Sequence, residues 1–389
     1  MLDCKMSRFL HIVSDDKFID VALAFFTDLG GNHRFICISE REKDSFSYIK
    51  SDCVERYSSK ESLSIIKKGD YDAVCFHMLS AGRYPLVLSV PDGKKVIWIS
   101  WGADIYYGSK GFSPLVKVHL YQPLTQKFIN QEINLKKRIN SFLKSFLPLS
   151  KGQKIQNQLQ ARVISRVDLC STVIRSEYDS LQRLPFFNAF YFPFNYVRAR
   201  KPEVSRVQPD GKFILVNNSA DLSGNHLDIL SLLNKRKITN PRLIPISYGK
   251  DKERLQSVMG HFINENRDVL LTDYLDINEY RDRINLCRAA VFGHIRQQAV
   301  GNIILCLRAG MKVFLYKTSF VYPYFKKLGV TLFSIEDDLS QGSIDEPLEE
   351  RWILNNIRII ADLFDYGNVM SRVKQSLENN GLMEPNSTC

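Results

Sequence analysis

The sequence predicts an α/β protein made of two Rossmann-like, doubly wound domains that follow one another along the chain, with a helical C-terminal tail. Short apolar runs of strand length alternate with helix-like spacers in both halves of the chain. This alternation is typical of βαβ units and a parallel sheet. It stops once, in a segment rich in proline and charge, and then restarts. Each half of the 389 residues is long enough to bury its own core.

The first half holds five predicted strands with helices between them. The apolar runs are of strand length and are separated by polar segments, which favours strands buried within a sheet. We expect the strands at residues 9–13, 34–38, 73–78, 96–101 and 167–172, and helices at 16–29 and 60–67.

The second half repeats the pattern after a break. Residues 201–212 carry two prolines and a glycine among many charges, so we predict the linker between the domains there. The predicted parts are a first domain at 1–200, a second domain at 213–345 and a helical tail at 346–389. We expect strands at 213–217, 242–247, 269–272, 289–293, 312–316 and 330–335, and helices at 225–234, 252–261, 277–287 and 300–308. Two doubly wound domains in succession indicate the GT-B architecture, whose ligands lie at the carboxyl ends of the strands.

Composition excludes several classes of protein. Hydrophobic residues make up 44% and charged residues 24%, which argues against disorder. No apolar run approaches 18 residues and no secretory signal pattern is visible, so we expect a cytoplasmic protein. The 8 cysteines form no CxxC pair, which indicates a reducing compartment and no cysteine metal site.

Positive charge is concentrated in one segment. Residues 110–162 contain ten Lys or Arg and one acid, which gives this segment +9 of the formal +11. From residue 129 onward, apolar residues recur at helical spacing between Lys136, Lys137, Arg138 and Lys144. We expect this basic amphipathic helix to dock on an anionic membrane surface. A helix packed on the core with a solvated basic face is the structural alternative. Nucleic acid is not an expected partner, because no RNA-binding signature accompanies the charge.

The sequence offers little for a metal. If the domains bind a nucleotide sugar, the diphosphate charge has to be met by a metal, by helix N-termini or by Arg and Lys. The D-x-D sequence at Asp70 and Asp72 precedes a predicted strand instead of following it. A solvated turn explains it, so we expect no essential metal and no cofactor.

Polar residues follow the first strand of the second half. Asn217, Asn218 and Ser219 end that strand, and Asn225 and His226 open the next helix. Small polar residues at such a junction present N–H and hydroxyl groups to an anion, so we predict that they bind the nucleotide sugar. An N-capped turn is the structural alternative.

Two further junctions are candidates for the same ligand. Tyr248 and Gly249 follow the second strand, where an aromatic ring can stack on a base. The third junction places an arginine and two glutamines between a buried strand and an apolar helix, where Arg296 can neutralise a diphosphate. Its candidate residues are Arg296, Gln297, Gln298, Gly301 and Asn302. A structural ion pair is the alternative for Arg296.

The first half offers a general base. Asp104 follows a glycine at the end of a predicted strand, and His77 ends another strand. We predict that Asp104 activates an acceptor hydroxyl, with His77 as the alternative, and that Trp101, Gly102 and Tyr106 bind the acceptor. A structural N-cap for Asp104 and a satisfied histidine at position 77 are the alternatives.

Three of these motifs together resemble a known family, the TDP-N-acetylfucosamine:lipid II N-acetylfucosaminyltransferases (glycosyltransferase family 56). The first is W-G-A-D-x-Y, from Trp101 to Tyr106. The second is N-N-S-x-D-x-S-x-x-H from Asn217 to His226, where Asn217 stands at a position that is glycine in the family. The third is R-Q-Q-x-x-G from Arg296 to Gly301, followed by an apolar helix and Ala-Gly at 309–310.

The resemblance implies a GT-B glycosyltransferase that is peripheral on the cytoplasmic face of the bacterial inner membrane. It implies a dTDP-sugar donor, such as dTDP-N-acetylfucosamine, and an undecaprenyl-diphosphate-linked saccharide as acceptor. The product would belong to enterobacterial common antigen, O-antigen or capsule. The residues themselves leave open a UDP- or GDP-sugar donor, a non-catalytic two-lobed binding protein, and inverting or retaining stereochemistry.

Overall fold

The computed structural model confirms two parallel α/β domains. It describes residues 7–39, 45–106, 119–132, 151–196 and 211–384. The chain forms two compact units, and each is assembled from separate segments. Unit 1 comprises Met1–Lys117, Leu149–Arg198 and Tyr366–Cys389, and unit 2 comprises Val118–Pro148 and Ala199–Asp365.

Each unit is built on one sheet whose strands are all parallel. The sheet of unit 1 has the order β3-β2-β1-β4-β5-β6-β7, and that of unit 2 the order β10-β9-β8-β11-β12-β13. The strands are β1 (Arg8–Val13), β2 (Asn32–Ile38), β3 (Val54–Tyr57), β4 (Ala73–His77), β5 (Lys95–Ile99), β6 (Leu169–Ser171), β7 (Phe190–Tyr191), β8 (Phe213–Val216), β9 (Arg242–Pro245), β10 (Val269–Leu271), β11 (Cys287–Phe292), β12 (Lys312–Leu315) and β13 (Phe333–Ser334).

Helices cover the faces of both sheets. They are α1 (Ile19–Leu29), α2 (Ser59–Lys68), α3 (Tyr84–Val87), α4 (Ala103–Tyr106), α5 (Pro123–Glu132), α6 (Lys151–Ser165), α7 (Arg175–Leu181), α8 (His226–Lys235), α9 (Lys252–Met259), α10 (Ile277–Asn285), α11 (Val300–Arg308), α12 (Val321–Lys327), α13 (Gln341–Asp345), α14 (Glu350–Phe364) and α15 (Tyr366–Asn379). No helix among the described residues has the length and apolarity needed to cross a membrane.

Local sequence signals place the helix ends. Ser58 caps α2 and forms a capping box with Glu61, while Gly69 ends that helix in the left-handed region. The central strands, such as β4 and β8, are almost continuously apolar because helices cover both faces of a parallel sheet. Sequence analysis misses β3 and β7, which are short strands at the two edges of the first sheet.

The C-terminal helices do not form a separate tail. Helix α14 packs on α11 in unit 2, whereas α15 lies against α1 in unit 1. Val369, Val373 and Leu377 of α15 belong to the buried core of unit 1. The predicted tail at 346–389 is therefore divided, because each helix buries its apolar face on a different sheet.

The predicted first domain also needs correction. Helix α5 lies within residues 1–200, yet it packs on α8 in unit 2. Asp228 of α8 accepts hydrogen bonds from Leu124 N (2.8 Å), Thr125 N (2.9 Å) and Thr125 Oγ1 (2.6 Å). This carboxylate thereby satisfies amide groups at the start of α5, which no residue within that helix can do. Phe128 and Ile129 pack against the core of unit 2.

Candidate active site

The sheet of unit 2 has one point where the strand order reverses. The chain runs outward from β8 through β9 to β10, then returns to β11 beside β8 and continues to β12 and β13. The loops that follow β8 and β11 therefore leave in opposite directions, and a crevice opens between them at the carboxyl edge. These two loops carry most of the residues predicted to bind the donor.

Asn217 joins the two loops. Its side-chain Nδ2 donates to Gly224 O (2.9 Å), and its Oδ1 accepts from Gly293 N (2.9 Å). Its backbone has a φ of +58°, a left-handed conformation that glycine adopts freely and asparagine tolerates. This conformation explains why asparagine can stand where the family has glycine. Asn217 is a structural residue of the site, since it is fully buried and both ends of its amide are used.

Asn225 is also structural, contrary to the prediction that it binds the nucleotide sugar. Its Oδ1 accepts from Gln122 N (2.8 Å). Its Nδ2 lies within hydrogen-bond distance of Gly293 O (2.7 Å) and Leu120 O (3.1 Å). The side chain is fully buried and holds the segment before α5 against the switch-point loops, which leaves it no capacity for a ligand.

A charged and hydroxyl-bearing cluster lies between the two loops. Arg296 Nε donates to Ser223 Oγ (3.2 Å), and Arg296 Nη2 lies 3.9 Å from Asp221 Oδ2. Gln298 lies 2.8 Å from Ser223 Oγ through its Oε1 and 3.4 Å from Ser219 Oγ through its Nε2. The structure thus brings together Ser219, Arg296 and Gln298, which the sequence predicts from separate motifs.

Asp221 and Arg296 interact electrostatically within this cluster. Burial alone would raise the pKa of the Asp221 carboxyl, but the Ser223 hydroxyl and the Arg296 guanidinium hold it below its ordinary value. The 3.9 Å separation is longer than a bidentate contact between arginine and carboxylate. Arg296 is therefore oriented by Asp221 and Ser223. A diphosphate could compete for it.

The loop after β9 adds an aromatic ring. Tyr248 is 38% exposed, and its hydroxyl lies 2.8 Å from Asn218 Nδ2. Gly249 has a φ of +124°, and a side-chain carbon there would lie 2.4 Å from Ala220 O. Glycine is needed at this position because the loops after β8 and β9 touch through their backbones. Tyr274, which sequence analysis misses, is a second exposed aromatic near Tyr248.

The remaining candidates of the third junction differ in their surroundings. Gln297 is buried, and its backbone oxygen accepts from Arg296 Nη1 (3.3 Å). Asn302 accepts a hydrogen bond from the Tyr280 hydroxyl (2.8 Å), which joins α11 to α10. Gly301 faces open space, so no contact within the described chain requires glycine there.

Two histidines stand beside this cluster. His226 is the first residue of α8, and His294 follows β11 by two positions. Both are buried, and neither ring nitrogen of either has a hydrogen-bond partner within the described part of the chain. Sequence analysis predicts His226 as a donor-binding residue but does not select His294. A histidine next to a predicted strand end, two residues before Arg296, is the signal that could have found it.

The structure does not support Asp104 as the general base. Its Oδ2 accepts from Leu79 N (2.9 Å) and Trp98 Nε1 (2.7 Å), and its Oδ1 accepts from Ser100 Oγ (3.1 Å) and Trp101 N (3.0 Å). The residue is 4% exposed, and burial raises its pKa. Four donors occupy both oxygens, so Asp104 fixes the loops after β4 and β5 in place.

His77 is likewise committed to a hydrogen-bonded chain that crosses unit 1. His33 Nε2 lies 3.0 Å from Gly30 O, His11 Nε2 lies 3.0 Å from His33 Nδ1, and His77 Nε2 lies 3.0 Å from His11 Nδ1. His77 Nδ1 lies 2.5 Å from the Tyr196 hydroxyl. The Gly30 carbonyl can only accept, so His33 must carry its proton on Nε2 and leave Nδ1 as an acceptor. For the same reason His11 donates from Nε2 to His33, and His77 donates from Nε2 to His11. Tyr196 then donates to His77, which burial holds at a pKa of about 3. His77 is therefore not a base near neutral pH.

The aromatic residues of the W-G-A-D-x-Y motif have two roles. Trp101 is half-buried at the carboxyl edge of the first sheet, where Nε1 donates to the Tyr196 hydroxyl (2.8 Å) and Phe18 meets the ring edge-on. Gly102 has a φ of +81°. Tyr106 is buried and donates to Glu177 Oε1 (2.6 Å), so it supports the fold and does not bind an acceptor. Trp101 remains the acceptor-binding candidate.

Arg83 is a residue of unit 1 that sequence analysis misses. It is buried at the carboxyl ends of the neighbouring strands β1 and β4, which is the switch point of the first sheet. Its guanidinium donates to Ser14 Oγ (2.7 Å), to Met78 O (2.6 Å) and to the His77 carbonyl oxygen. Burial lowers its pKa to about 10, so it is charged at neutral pH. Arg83 thereby joins the loops after β1 and β4.

Two predicted groups lie away from the carboxyl edges or outside the described chain. Asp70 and Asp72 are at the amino end of β4, where Asp70 pairs with Lys68 (3.0 Å) and Asp72 accepts from Arg8 N (2.8 Å). No three His, Cys, Asp or Glu side chains within the described ranges are arranged to hold a metal. The membrane-docking candidates Lys136, Lys137, Arg138 and Lys144 lie outside the described residues.

Comparison with known proteins identifies the chain. The family model for the 4-alpha-L-fucosyltransferases, glycosyl transferase group 56, matches residues 176–367. This range includes the second and third motifs and confirms the resemblance drawn from them, while the W-G-A-D-x-Y motif precedes it.

Solved structures agree on the fold. A glycosyltransferase from Rickettsia africae has a TM-score of 0.57 at 13% identity and covers 98% of this chain and 100% of its own. HepE from Anabaena, in complex with UDP, has a TM-score of 0.60 at 10% identity and covers 96% and 100%. Sucrose-phosphate synthase from Thermosynechococcus elongatus has a TM-score of 0.58 at 7% identity and covers 96% and 99%. The chain therefore has the GT-B fold, and the match of its residues 176–367 to glycosyltransferase group 56 shows that it is a glycosyltransferase.

Proposed function

We propose that this enzyme transfers a 4-amino-4,6-dideoxy sugar, such as N-acetylfucosamine, from a dTDP-sugar to an undecaprenyl-diphosphate-linked saccharide. The product would be a repeat unit of enterobacterial common antigen, O-antigen or capsule. The observation that carries the proposal is the cluster around Arg296 at the switch point of the second sheet, within the region that matches group 56.

The cluster suits a diphosphate leaving group. When the bond between sugar and phosphate breaks, negative charge develops on the phosphate oxygens and has to be stabilised. Arg296 supplies a charged donor, and Ser219 and Ser223 supply hydroxyl groups within the same cluster. Helices α8 and α11 begin beside these residues, and their N-termini carry partial positive charge. This set supports transfer without an essential metal, which stays part of the proposal.

We assign the nucleoside to the loop after β9. The exposed ring of Tyr248, with Tyr274 close by, offers a stacking surface for the base. Asn218 holds the Tyr248 hydroxyl and so fixes the ring relative to the loop after β8. Thymine, uracil and guanine could all stack there, so the choice of dTDP rests on the family.

The acceptor is assigned to unit 1. Trp101, Phe18 and Tyr196 form an aromatic group at the carboxyl edge of the first sheet, in which Phe18 is exposed and the other two are half-buried. We propose this group as a surface for a sugar ring. Asp104 supports this group from beneath and is no longer our candidate base. The proposal therefore depends more on leaving-group stabilisation than on an acidic residue that deprotonates the acceptor.

Thermal shift against dTDP, UDP, GDP and CMP, each with and without EDTA, tests the donor. A ligand at 100 times its Kd stabilises the bound unit by about 2.7 kcal/mol. We expect a selective shift with dTDP that EDTA does not change. A preference for UDP or GDP would replace the donor, loss of the shift in EDTA would contradict the metal-free site, and no shift with any nucleotide would favour a protein that does not use nucleotide sugars.

Variants of Arg296 test the diphosphate contact. R296A should weaken dTDP binding by at least tenfold, because a charge-assisted contact contributes about 1.5–3 kcal/mol. R296K, which keeps the positive charge, should recover part of the lost dTDP affinity. R358A is the matched control, since Arg358 is an exposed arginine on α14. Unchanged binding by R296A would show that the diphosphate lies elsewhere.

Transfer and membrane docking need separate assays. Radiolabelled sugar should move from dTDP to an undecaprenyl-diphosphate-linked saccharide, and product that forms only with a lipid-linked acceptor would support the assignment. Binding of donor without transfer to any acceptor would favour a two-lobed binding protein. Liposome flotation should show a preference for anionic lipid that is lost when Lys136, Lys137, Arg138 and Lys144 are replaced by alanine. We propose the cytoplasmic face of the inner membrane from the family resemblance.

A further inference from the structure

Two buried histidines in unit 2 have chemistry that the diphosphate site does not use. His226 is 0% exposed and His294 is 2% exposed, and they interact electrostatically with each other. His294 also interacts electrostatically with Arg296 and Asp221, so the two histidines lie next to the cluster at the switch point. A side-chain carbon on Gly224 would lie 2.8 Å from His226 Cε1, which shows how closely the loop after β8 folds over this ring.

The four ring nitrogens lack partners in the part of the chain that the structure describes. Buried polar side chains almost always have a hydrogen-bond partner, and leaving one unmet costs about 1–3 kcal/mol. The histidines of unit 1 illustrate the ordinary case, since the rings of His11 and His77 use both nitrogens. His226 and His294 depart from this rule beside a candidate ligand site, which indicates that the ligand supplies their missing hydrogen-bond partners.

The protonation state defines what that group must be. Burial lowers the pKa of His226 to about 4 and that of His294 well below its ordinary value, so both rings are neutral at pH 7. A neutral imidazole has one N–H donor and one nitrogen acceptor, whichever tautomer it adopts. The pair therefore needs two donors and two acceptors from its partner. Phosphate oxygens only accept, whereas sugar hydroxyl groups and amides both donate and accept.

We propose that His226 and His294 bind the sugar that the enzyme transfers, through its hydroxyl or amide groups, while Arg296 binds the diphosphate. This inference rests on the proposed function, in which unit 2 holds the nucleotide sugar. Because both rings are covered, the groups that cover them have to shift when the sugar enters. The two histidines then determine which sugar is accepted, because a sugar that lacks a suitably placed hydroxyl or amide group leaves buried imidazole nitrogens unpaired.

The test compares two ligands that differ only in the sugar. Isothermal titration measures the Kd of wild type for dTDP and for dTDP-glucose, dTDP-rhamnose and dTDP-N-acetylfucosamine, and the sugar that adds most affinity over dTDP is kept. H294F and H226F retain a planar ring without nitrogen. Each should weaken binding of that nucleotide sugar at least tenfold while the Kd for dTDP stays within twofold. H294N, which keeps a donor and an acceptor, should recover part of the loss and serves if H294F does not fold. H261Q, at an exposed histidine, is the matched control.

Several results would overturn the inference. Equal loss for dTDP and the nucleotide sugar would assign the pair to the diphosphate, and no loss for either would leave it a structural role filled by buried water. If no sugar adds affinity over dTDP in wild type, the pair has no sugar to bind. Failure of wild type to bind any nucleotide is a different outcome, since it refutes the proposed function itself.

Discussion

Mild acid should destabilise this protein more than its composition suggests. Of its 7 histidines, five have a lowered pKa because they are buried: His11, His33 and His77 in unit 1, and His226 and His294 in unit 2. In an unfolded chain the same side chains titrate near pH 6.5. Below that pH the unfolded state binds protons that the folded state does not bind, so the free energy of unfolding falls as pH falls.

The size of the effect follows from this difference. A histidine that stays neutral in the folded state loses about 1 kcal/mol of stability between pH 6.5 and 5.5, because its unfolded form becomes protonated. The three histidines of unit 1 then lose about 3 kcal/mol and the two of unit 2 about 2 kcal/mol. These are large fractions of the 5–15 kcal/mol that is usual for a domain. Burial raises the pKa of Asp104, which acts in the opposite sense, so the window above pH 5.5 is the one to measure.

Urea unfolding at pH 7.5, 6.5 and 5.5 and constant ionic strength measures this loss. The W352F variant leaves Trp98 and Trp101, both in unit 1, so its fluorescence reports that unit alone. H261Q, at an exposed histidine, should show the same loss as wild type. A free energy of unfolding for unit 1 that changes by less than about 1 kcal/mol over this range would refute the reasoning, because fewer than about one proton would then be taken up on unfolding.

Three other predictions test the roles that the structure assigns. D104N should lower the free energy of unfolding of unit 1 by about 2–4 kcal/mol, because the new amide N–H groups would face some of the four donors that the carboxylate now accepts from. If Asp104 were a general base instead, D104N would lose turnover while unit 1 kept its stability. G249A should cost unit 2 at least about 2 kcal/mol in urea unfolding. G301A, at a position with open space, should be neutral or slightly stabilising in the same measurement. D228A should remove the cap of α5 at a cost of about 1–2 kcal/mol, and hydrogen exchange should rise in residues 119–132 while α8 stays protected.

The strands of both sheets could be predicted because a parallel sheet imposes a strong pattern. Its inner strands are covered on both faces, so they are continuously apolar, and their connections are long enough to be recognised as helices. The strands β3 and β7 were not predicted, because edge strands have only one neighbouring strand and need less apolar sequence. The sequence order could not predict to which of the two units α5 and α15 belong. Each lies next to one unit along the chain but buries its apolar face on the other.

The candidate donor site was predictable to the extent that sheet geometry determines it. Loops that follow parallel strands meet at one edge, so Ser219, Arg296 and Gln298 come together although about 77 residues separate the two loops. The same rule cannot say which polar side chain faces a ligand. Asn217 and Asn225 have the expected residue types in the expected loops, yet their amides bind backbone groups and hold the loops in shape.

A physical criterion separates the two kinds of residue more reliably than position does. Loops at a switch point contain many backbone N–H and C=O groups that no strand or helix satisfies, so some polar side chains there must serve the backbone. Asp104 and Asn225 do so, and their hydrogen-bonding capacity is filled within the fold. His226 and His294 are equally buried but have capacity that the described chain does not fill. Residues of the second kind are the ones whose replacement should change ligand affinity while the fold persists, and the paired titrations of dTDP and its sugars measure that difference directly.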